Sequence, residues 1–226
     1  MATNLSGNAL TLGGTSLNEE TLKAIKTHYY VPDNCQVGDT VILDGIECLC
    51  VATGITIQGT NLTRIAVDKK YNLGYYQKYS GISYGSNTVN RIDFFKWGGY
   101  GTLVGDTSTE TGYGYQNTIN CLSKKVVFTA GSYNYSPTAT NFFPYLWSGV
   151  NDFRSAHSDK WFVPSIAELR NYVYPRKSSL TISPNISLLS SSEYSANECW
   201  LSYFYDGRDL YGDKYAATNI RLCRVF

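Results

Sequence analysis

The sequence predicts an α+β fold in which small mixed sheets combine with two to three helices and many loops, preceded by an N-terminal helical segment. Three observations indicate this class. A β-hairpin pattern occupies residues 41–52, helix signals recur between residues 116 and 175, and strand-like segments with loops fill residues 188–226. Periods of 2 and 3.6 residues therefore occur in one chain without regular alternation of strand and helix, which is typical of α+β proteins.

The N-terminal segment, residues 1–36, is predicted to contain one helix at about 17–28. Ser16 and Glu19 have the spacing of a capping box, in which each side chain bonds a backbone amide of the first turn. The apolar residues after them recur at helical spacing: Leu22, Ile25 and Tyr29. We expect this helix either to serve attachment or oligomerisation, or to pack on the main domain.

The main domain, residues 37–226, begins with the hairpin. Asp44-Gly45 is a two-residue type I′ turn signal between two apolar runs. A further strand is predicted at residues 63–67. Residues 71–116 are rich in Gly, Tyr, Ser and Asn with little periodicity, and we expect loops and short strands there.

Three helices are predicted in the second half of the chain. The first covers residues 116–125 with Ile119 and Leu122 facing inward, and the second lies within residues 142–156. A capping box then opens the third helix, which a proline ends; the residues are Ser165, Glu168 and Pro175. Strands and loops make up the rest.

The charge balance argues against a strongly basic surface. The 19 Lys and Arg residues nearly match the 18 Asp and Glu residues. We therefore expect neither nucleic acid nor anionic lipid as a partner. No segment approaches the ~18 apolar residues of a membrane span, and the start of the sequence lacks the pattern of a signal peptide. A protein made in the cytoplasm, without membrane insertion, is predicted.

The six cysteines are Cys35, Cys48, Cys50, Cys121, Cys199 and Cys223. A cytoplasmic origin predicts reduced, mostly buried thiols. One residue separates Cys48 from Cys50, which suits one face of a strand and not a zinc or redox motif. A disulfide between Cys199 and Cys223 is the alternative.

Residues that could carry chemistry are few. His28 and His157 have no evident Ser or Cys partner, so we expect them to face solvent or cap a helix. Glu193 stands among serines, and we expect it to accept hydrogen bonds from backbone amides of a turn. The three aspartates of the C-terminal region lack the regular spacing of a calcium loop. No catalytic residue, metal ion or cofactor is therefore predicted.

The C-terminal region has the composition of a binding surface. Residues 194–219 include five Tyr, three Asp, two Asn and two Ser. Tyr provides large, rigid contact area, and the small polar residues provide adaptable hydrogen bonds. The alternative is a solvated strand face with aromatic cross-strand pairs. Trp97, Trp161 and Trp200 are expected in the core.

Five segments in order carry a resemblance to a known family. They are Glu110-Thr-Gly-Tyr-Gly-Tyr-Gln-Asn-Thr118, Trp161-Phe-Val-Pro-Ser-Ile-Ala-Glu-Leu169, Ser190-Ser-Ser-Glu-Tyr-Ser195, Cys199-Trp200 followed by Phe204 and Gly207, and Ile220-Arg-Leu-Cys-Arg-Val-Phe226. Together they resemble C-type-lectin-fold domains of the Lcl C-terminal type and the related variable proteins of diversity-generating retroelements. The resemblance covers roughly residues 37–226. Leu189 and Phe162 stand where that family has Trp and Arg.

The resemblance implies a C-type lectin-like fold without a calcium-sugar site, whose ligand surface is diversified over about residues 190–219. In retroelement variable proteins, adenine-directed mutagenesis converts Asn codons into codons for residues such as Tyr, Asp and Ser, but not into codons for Trp, Lys or Glu. Glu198, Trp200 and Lys214 would then be fixed positions.

The predicted ligand-binding residues are expected mostly exposed on one contiguous surface, with Phe204 turned to the core. They are Tyr194, Asn197, Leu201, Tyr203, Tyr205, Asp206, Arg208, Asp209, Tyr211, Asp213 and Tyr215. The function that the resemblance implies is recognition of a cell-surface protein or glycan, by a phage tail receptor-binding protein or a bacterial display protein. The N-terminal segment would bind a second copy or a virion component. Two alternatives are an enzyme of the formylglycine-generating-like fold and a structural virion component.

Overall fold

The computed structural model describes residues 10–12, 15–17, 27–76, 82–84, 87–89, 94–128 and 144–226. Its strands up to the middle of the chain are β1 (Leu10–Leu12), β2 (Thr15–Leu17), β3 (Thr40–Leu43), β4 (Ile46–Ala52), β5 (Ile65–Asp68), β6 (Ile82–Tyr84), β7 (Asn87–Val89) and β8 (Phe95–Lys96). The later strands are β9 (Trp161–Phe162), β10 (Ser187–Glu193), β11 (Glu198–Tyr203), β12 (Asp209–Asp213), β13 (Ala217–Thr218) and β14 (Cys223–Val225).

The helices are short. They are α1 (Leu73–Tyr76), α2 (Gly114–Ser123), α3 (Leu146–Ala156) and α4 (Ile166–Glu168). Helix α4 continues into a π-helical segment, Leu169–Val173, and a 3-10 turn, Tyr174–Arg176. The protein is thus a mixed α+β structure with small antiparallel sheets and few helices, as the sequence predicts at this level.

A five-stranded sheet lies at the centre, in the order β3-β4-β5-β14-β9. All its neighbouring strands are antiparallel. The C-terminal strand β14 is inserted between β5 and β9, so the last residues of the chain complete the sheet that the hairpin begins. The predicted strand at residues 63–67 is β5, shifted to Ile65–Asp68.

Both faces of this sheet are buried, which explains why β4 reads as a continuous apolar run. Cys48 and Cys50 face one core, which also contains Trp97, Trp147 and Trp161. Alternate residues of the same strand, Leu49 and Val51, face a second core, which contains Phe162, Leu169 and Phe204. Successive side chains of a strand point to opposite faces, so β4 contributes to both cores at once.

The hairpin between β3 and β4 turns at Asp44 and Gly45, as predicted. Both residues have a left-handed backbone, with φ of 54° and 77°, as a type I′ turn requires. The Asp44 carboxylate then reaches the C-terminal strand. Arg224 donates to it through Nε at 2.7 Å and Nη2 at 3.1 Å, and Trp161 Nε1 donates at 2.8 Å.

Burial opposes ionisation of Asp44, but the hydrogen bonds and charge of Arg224 outweigh it and hold the pKa of the Asp44 carboxyl below its ordinary value. The carboxylate is therefore charged when the protein is folded at neutral pH. It joins the turn of the first hairpin to β9 and β14 on the far side of the sheet.

A second sheet, in the order β10-β11-β12, carries the C-terminal region. It connects to the rest through β10: Leu189 N donates to Asn219 O at 2.9 Å, and Ser191 N donates to Pro164 O at 2.9 Å. A two-stranded pair, β8 with β13, lies beside it. Within the described residues β12 is an edge strand of this sheet.

The predicted helix at 116–125 is present as α2. Ile119 and Leu122 point inward as predicted, since each is partly buried and packs against a core. The buried residues of the helix are others: Gly114, Tyr115, Asn117, Thr118 and Cys121. The helix turns polar side chains inward because Asn117 and Thr118 bond neighbouring backbone there.

The capping box of α4 is confirmed: Ser165 and Glu168 exchange side-chain hydrogen bonds with each other's backbone amides. Pro175 lies within the final 3-10 turn, and the helical backbone ends one residue later, at Arg176. Helix α3 begins at Leu146 within the predicted range and buries Val150 and Phe153.

The predicted N-terminal helix at 17–28 differs from the structure at its start. Leu17 belongs to strand β2, whereas Thr27 and His28 are helical. Residues 18–26 lie outside the described residues. Tyr30 then pairs with Ile42 through two backbone hydrogen bonds of 2.7 and 2.8 Å, so this part of the 1–36 segment adds to the edge of the central sheet.

No helix within the described ranges combines the length and apolar character that crossing a membrane would require.

Replacing Asp44 by Asn tests the link between hairpin and C-terminal strand. Asn tolerates the left-handed turn, so the variant removes the charge and leaves the backbone unstrained. We expect the free energy of unfolding, measured by urea denaturation, to fall by about 2 to 3 kcal/mol, because the buried Arg224 loses its counterion. Lys124→Ala is the control. It breaks an exposed ion pair with Asp106 and should cost less than about 1 kcal/mol. Equal losses of unfolding free energy in the two variants would contradict the role of Asp44 as the counterion of Arg224.

Candidate ligand-binding surface

The base of the C-terminal surface is a strand of buried serines, Ser190–Ser192. Ser190 Oγ donates to Trp200 O at 2.7 Å, which links β10 to β11. Ser192 Oγ donates to Ser108 O at 2.8 Å, and Asn117 Nδ2 donates to Ser191 Oγ at 3.1 Å. The hydroxyls are thus used by the scaffold, because buried polar groups need partners.

Glu193 continues this strand and joins it to a loop. Its carboxylate accepts from Val104 N and Gly105 N, each at 2.8 Å. It also pairs with Lys214, whose side chain is fully buried. Lys214 donates in addition to Thr102 O at 3.0 Å. The prediction that Glu193 accepts backbone amides is confirmed, although the amides belong to the 102–105 loop and not to its own turn.

None of the eleven predicted ligand-binding residues is buried. Eight are exposed: Tyr194, Asn197, Tyr205, Asp206, Arg208, Tyr211, Asp213 and Tyr215. Three are partly exposed: Leu201, Tyr203 and Asp209. Phe204 is buried in the second core, as expected.

Two of these residues, Tyr194 and Tyr211, form an aromatic cluster with Trp200. The rings of Tyr194 and Tyr211 stack with centroids 4.5 Å apart and 7° between their planes. Trp200 meets both edge-on, at 5.0 Å from Tyr194 and 6.1 Å from Tyr211. The two tyrosines remain 47% and 55% exposed.

Trp200 was expected in the core, and the structure corrects this. It pairs directly with Tyr211 across β11 and β12, so both lie on one face of the sheet, and Trp200 is only partly buried. Its inner side packs on the second core. Cys199 and Ser202 of the same strand are buried.

A second group surrounds the turn after β11. Tyr205 is 64% exposed, with its ring centroid 6.1 Å from that of Tyr203. The Arg208 guanidinium lies 5.9 Å from the Tyr203 ring centroid and pairs with Asp206 at 2.7 Å. Gly207, with φ of 82°, makes the turn possible.

The eleven residues do not share one face of the sheet. Leu201 pairs with Leu210 and faces opposite to the Trp200–Tyr211 pair. Tyr203 lies two residues further along β11 and therefore on the same face as Leu201. The predicted set therefore occupies both faces of the β11–β12 pair and the turn between them. Tyr215 forms a further contact, edge-on to Tyr100 with centroids 4.9 Å apart.

Asp209 is held by a residue that sequence analysis missed. Arg170, on the π-helical continuation of α4, donates to its Oδ2 at 2.5 Å. Asp209 is thus partly committed to the scaffold. The two residues are brought together only by the tertiary fold, in which the π-helical segment lies beside β12. No local pattern in the sequence indicates this contact.

All six cysteines are free and buried. Cys199 and Cys223 lie in different cores, so the alternative disulfide does not form. Burial raises the pKa of both thiols well above their ordinary value. A thiol must ionise to act as a nucleophile, so this environment is unfavourable for cysteine chemistry.

Both histidines agree with the prediction. His28 and His157 are exposed, and His157 is the C-cap residue of α3, with Nδ1 3.1 Å from Phe153 O. In the part of the chain that the structure describes, no three His, Cys, Asp or Glu side chains are grouped to hold a metal ion.

Beneath the serines lies a second buried carboxylate, Glu168. It accepts from Ser165 N at 2.8 Å, Gly112 N at 2.9 Å and Gly114 N at 3.4 Å. A side chain at Gly114 would meet Glu168 Oε2 at 2.1 Å, so only glycine permits this approach. Burial raises the pKa of the Glu168 carboxyl to about 7 against the opposing effect of these amides.

A scan of protein-family models gives no match to this chain, and searches of curated proteins and of solved structures likewise give none.

The division between scaffold and surface predicts different costs of substitution. Lys214→Met removes the cation beside the buried Glu193 carboxylate and should lower the free energy of unfolding by about 3 kcal/mol. Tyr205→Ser removes an exposed ring and should change it by less than about 1 kcal/mol. Urea denaturation measures both. Comparable losses would show that the surface is part of the scaffold.

The raised pKa of Glu168 predicts a pH-dependent stability. Its folded-state pKa of about 7 exceeds the ordinary value of 4.5, so the protonated carboxyl stabilises the fold. This contribution is complete below about pH 4.5 and is lost as pH rises through 7. We expect the wild type to lose at most about 3 kcal/mol relative to Glu168→Gln between pH 5 and 8. If the unfolding free energies of the wild type and of Glu168→Gln changed with pH in parallel, the raised pKa of Glu168 would be contradicted.

Proposed function

We propose that this protein is a ligand-binding protein whose C-terminal surface recognises a cell-surface protein or glycan. The observation that carries the proposal is the exposed aromatic cluster of Tyr194, Trp200 and Tyr211. It lies beside a strand whose three buried serine hydroxyls all bond the scaffold. Rigid aromatic rings rimmed by charged residues are the usual composition of an interface hot spot. Exposed apolar patches commonly mark interaction sites, because a protein without a binding partner gains nothing in solubility from them.

The cluster is suited to binding because its geometry is set before any ligand arrives. The stacked rings of Tyr194 and Tyr211 and the edge-on Trp200 hold one another in place. A ligand that packs on them meets side chains that have already lost conformational freedom, which reduces the entropic cost of association. Asp213 lies opposite Glu198 across β12 and β11, so these two residues add carboxylates to the rim of the cluster.

The scaffold in this proposal is of the C-type lectin-like type found in variable proteins of diversity-generating retroelements. Support comes from contacts between the motifs that carry the resemblance. The amides of Gly112 and Gly114 bond Glu168, and Asn117 bonds Ser191. Three distant segments of the chain therefore meet in one buried polar network, as parts of a shared scaffold would.

The distribution of residue types also supports diversification. The exposed positions are rich in Tyr and Asp, which adenine-directed mutagenesis of Asn codons can produce. Lys214, which it cannot produce, is fully buried and paired with Glu193. Substitution would be tolerated at the first kind of position and costly at the second. A phage tail or a bacterial surface is the setting that we propose.

The genomic neighbourhood and natural copies of the gene test diversification. We expect a nearby reverse transcriptase gene with a template repeat matching codons 190–226. Differences among copies should concentrate at exposed positions such as Tyr194, Tyr205 and Tyr211 and spare Glu193 and Lys214. Differences spread evenly over the chain, or absence of the repeat, would contradict this part of the proposal.

Binding itself is tested with fluorescently labelled protein and intact gut bacterial cells. We expect saturable binding to some strains, and the double variant Tyr194→Ala/Tyr211→Ala should weaken it at least about tenfold with an unchanged melting temperature. Tyr29→Ala, an exposed tyrosine outside this surface, is the matched control. Protease or periodate treatment of the cells then separates a protein ligand from a glycan.

Equal binding by the wild type and the double variant would remove the support for this surface.

A further inference from the structure

A cavity separate from the C-terminal surface lies where β5 and α1 meet the segment before β10. Its volume is about 240 Å³. The residues around it include Lys70, Tyr71, Tyr75, Ile186, Asn219 and Arg221. None of them belongs to the predicted ligand-binding set, and three segments distant in sequence form its walls.

Arg221 is the unusual residue of this cavity. It is only 5% exposed, and its Nη1 donates to Asp68 O at 2.8 Å. Its Nε has no hydrogen-bond partner, and the charge that favours its ionised form is the buried carboxylate of Asp68. A buried donor that has lost its water without gaining a partner is unfavourable, so an acceptor group on a bound ligand would stabilise the guanidinium.

One wall of the cavity is a stacked pair of tyrosines. The rings of Tyr71 and Tyr75 lie 3.7 Å apart with 8° between their planes, and both remain exposed. The buried Asp68 carboxylate fixes this wall, accepting from Lys70 N and Tyr71 N, each at 2.9 Å. The wall is therefore rigid and presents an aromatic surface at the cavity mouth.

The remaining lining combines the apolar side chains of Ile182, Ile186 and Leu188 with uncharged polar residues. It includes Asn72, Thr181, Ser183 and Asn219, whose side chains both donate and accept hydrogen bonds. Lys70 stands at the mouth, paired with Glu47 at 2.7 Å. A guanidinium, an aromatic wall and several amides and hydroxyls together fit a ligand that combines a carboxylate, a flat apolar face and hydroxyl groups.

We propose that this cavity binds the carboxylate-bearing sugar of an acidic saccharide, with its carboxylate toward Arg221 and its ring against the Tyr71–Tyr75 pair. The fork of guanidinium donors can bind both oxygens of a carboxylate at once. The hydroxyls of the sugar would pair with the amides and hydroxyls of the lining. This site is independent of the proposed C-terminal binding surface.

The test is calorimetric titration of the full chain with glucuronate, with glucose and with inorganic sulfate. We expect glucuronate to bind at least about tenfold more tightly than glucose, because a charge-assisted hydrogen bond contributes that much. Sulfate should bind more weakly than glucuronate, because it offers nothing to the tyrosine wall. Equal affinities for glucuronate and glucose, or no binding of glucuronate, would overturn the proposal.

Variants separate the site from general effects on folding. Tyr75→Ala removes an exposed ring and should leave the melting temperature unchanged while weakening glucuronate binding about fivefold or more. Tyr205→Ala, on the C-terminal surface, is the matched control and should bind as the wild type does. Arg221→Lys keeps the charge but removes the fork of guanidinium donors, and it should weaken glucuronate binding. Unchanged binding by Tyr75→Ala would contradict the role of the wall.

Discussion

The buried carboxylate of Glu168 is the constraint on which the rest of the structure depends. It lies between the 110–118 segment and the start of α4, and it accepts the amides of Gly112, Gly114 and Ser165. A carboxylate cannot be buried without such donors, and backbone amides can be placed only by folding the segments that contain them. One side chain therefore fixes the path of the chain at Gly112 and Gly114, where hydrophobic periodicity gives no guide.

The same principle extends to the second sheet. Glu193 holds the 102–105 loop through two amides and pairs with the buried Lys214. Removing either charge leaves the other unpaired in a nonpolar environment, which costs far more than a surface pair contributes. The polar interior is thus sensitive to change, whereas exposed positions such as Tyr205 and Asp213 touch little of it. The C-terminal surface is not uniform in this respect, because Asp209 accepts a hydrogen bond from Arg170 of the scaffold.

Local sequence patterns predict those parts of the fold that depend only on residues close together in the sequence. The Asp44-Gly45 turn and the Ser165 capping box could be predicted because each is decided within four residues. Trp200 could not be placed, because its exposure depends on the pairing of β11 with β12 and on packing over the second core. The buried polar residues of α2 could not be predicted for a related reason. Asn117 is buried by partners that lie far away in sequence, and an apolar stripe gives no sign of them.

Buried polar groups in this protein fall into two kinds, and the difference bears on function. Glu168, Glu193 and Asp44 have their acceptor oxygens met by donors of the chain itself, so their burial is explained by the fold alone. Arg221 is buried with an Nε that no described residue satisfies. Its stabilisation by packing is incomplete, because folding removes water from the guanidinium without replacing all of its hydrogen bonds. A group in that state beside a cavity is where a ligand gains most from binding, and sequence patterns cannot reveal it, since Arg221 lies in an apolar C-terminal segment whose neighbours Ile220 and Leu222 are core residues.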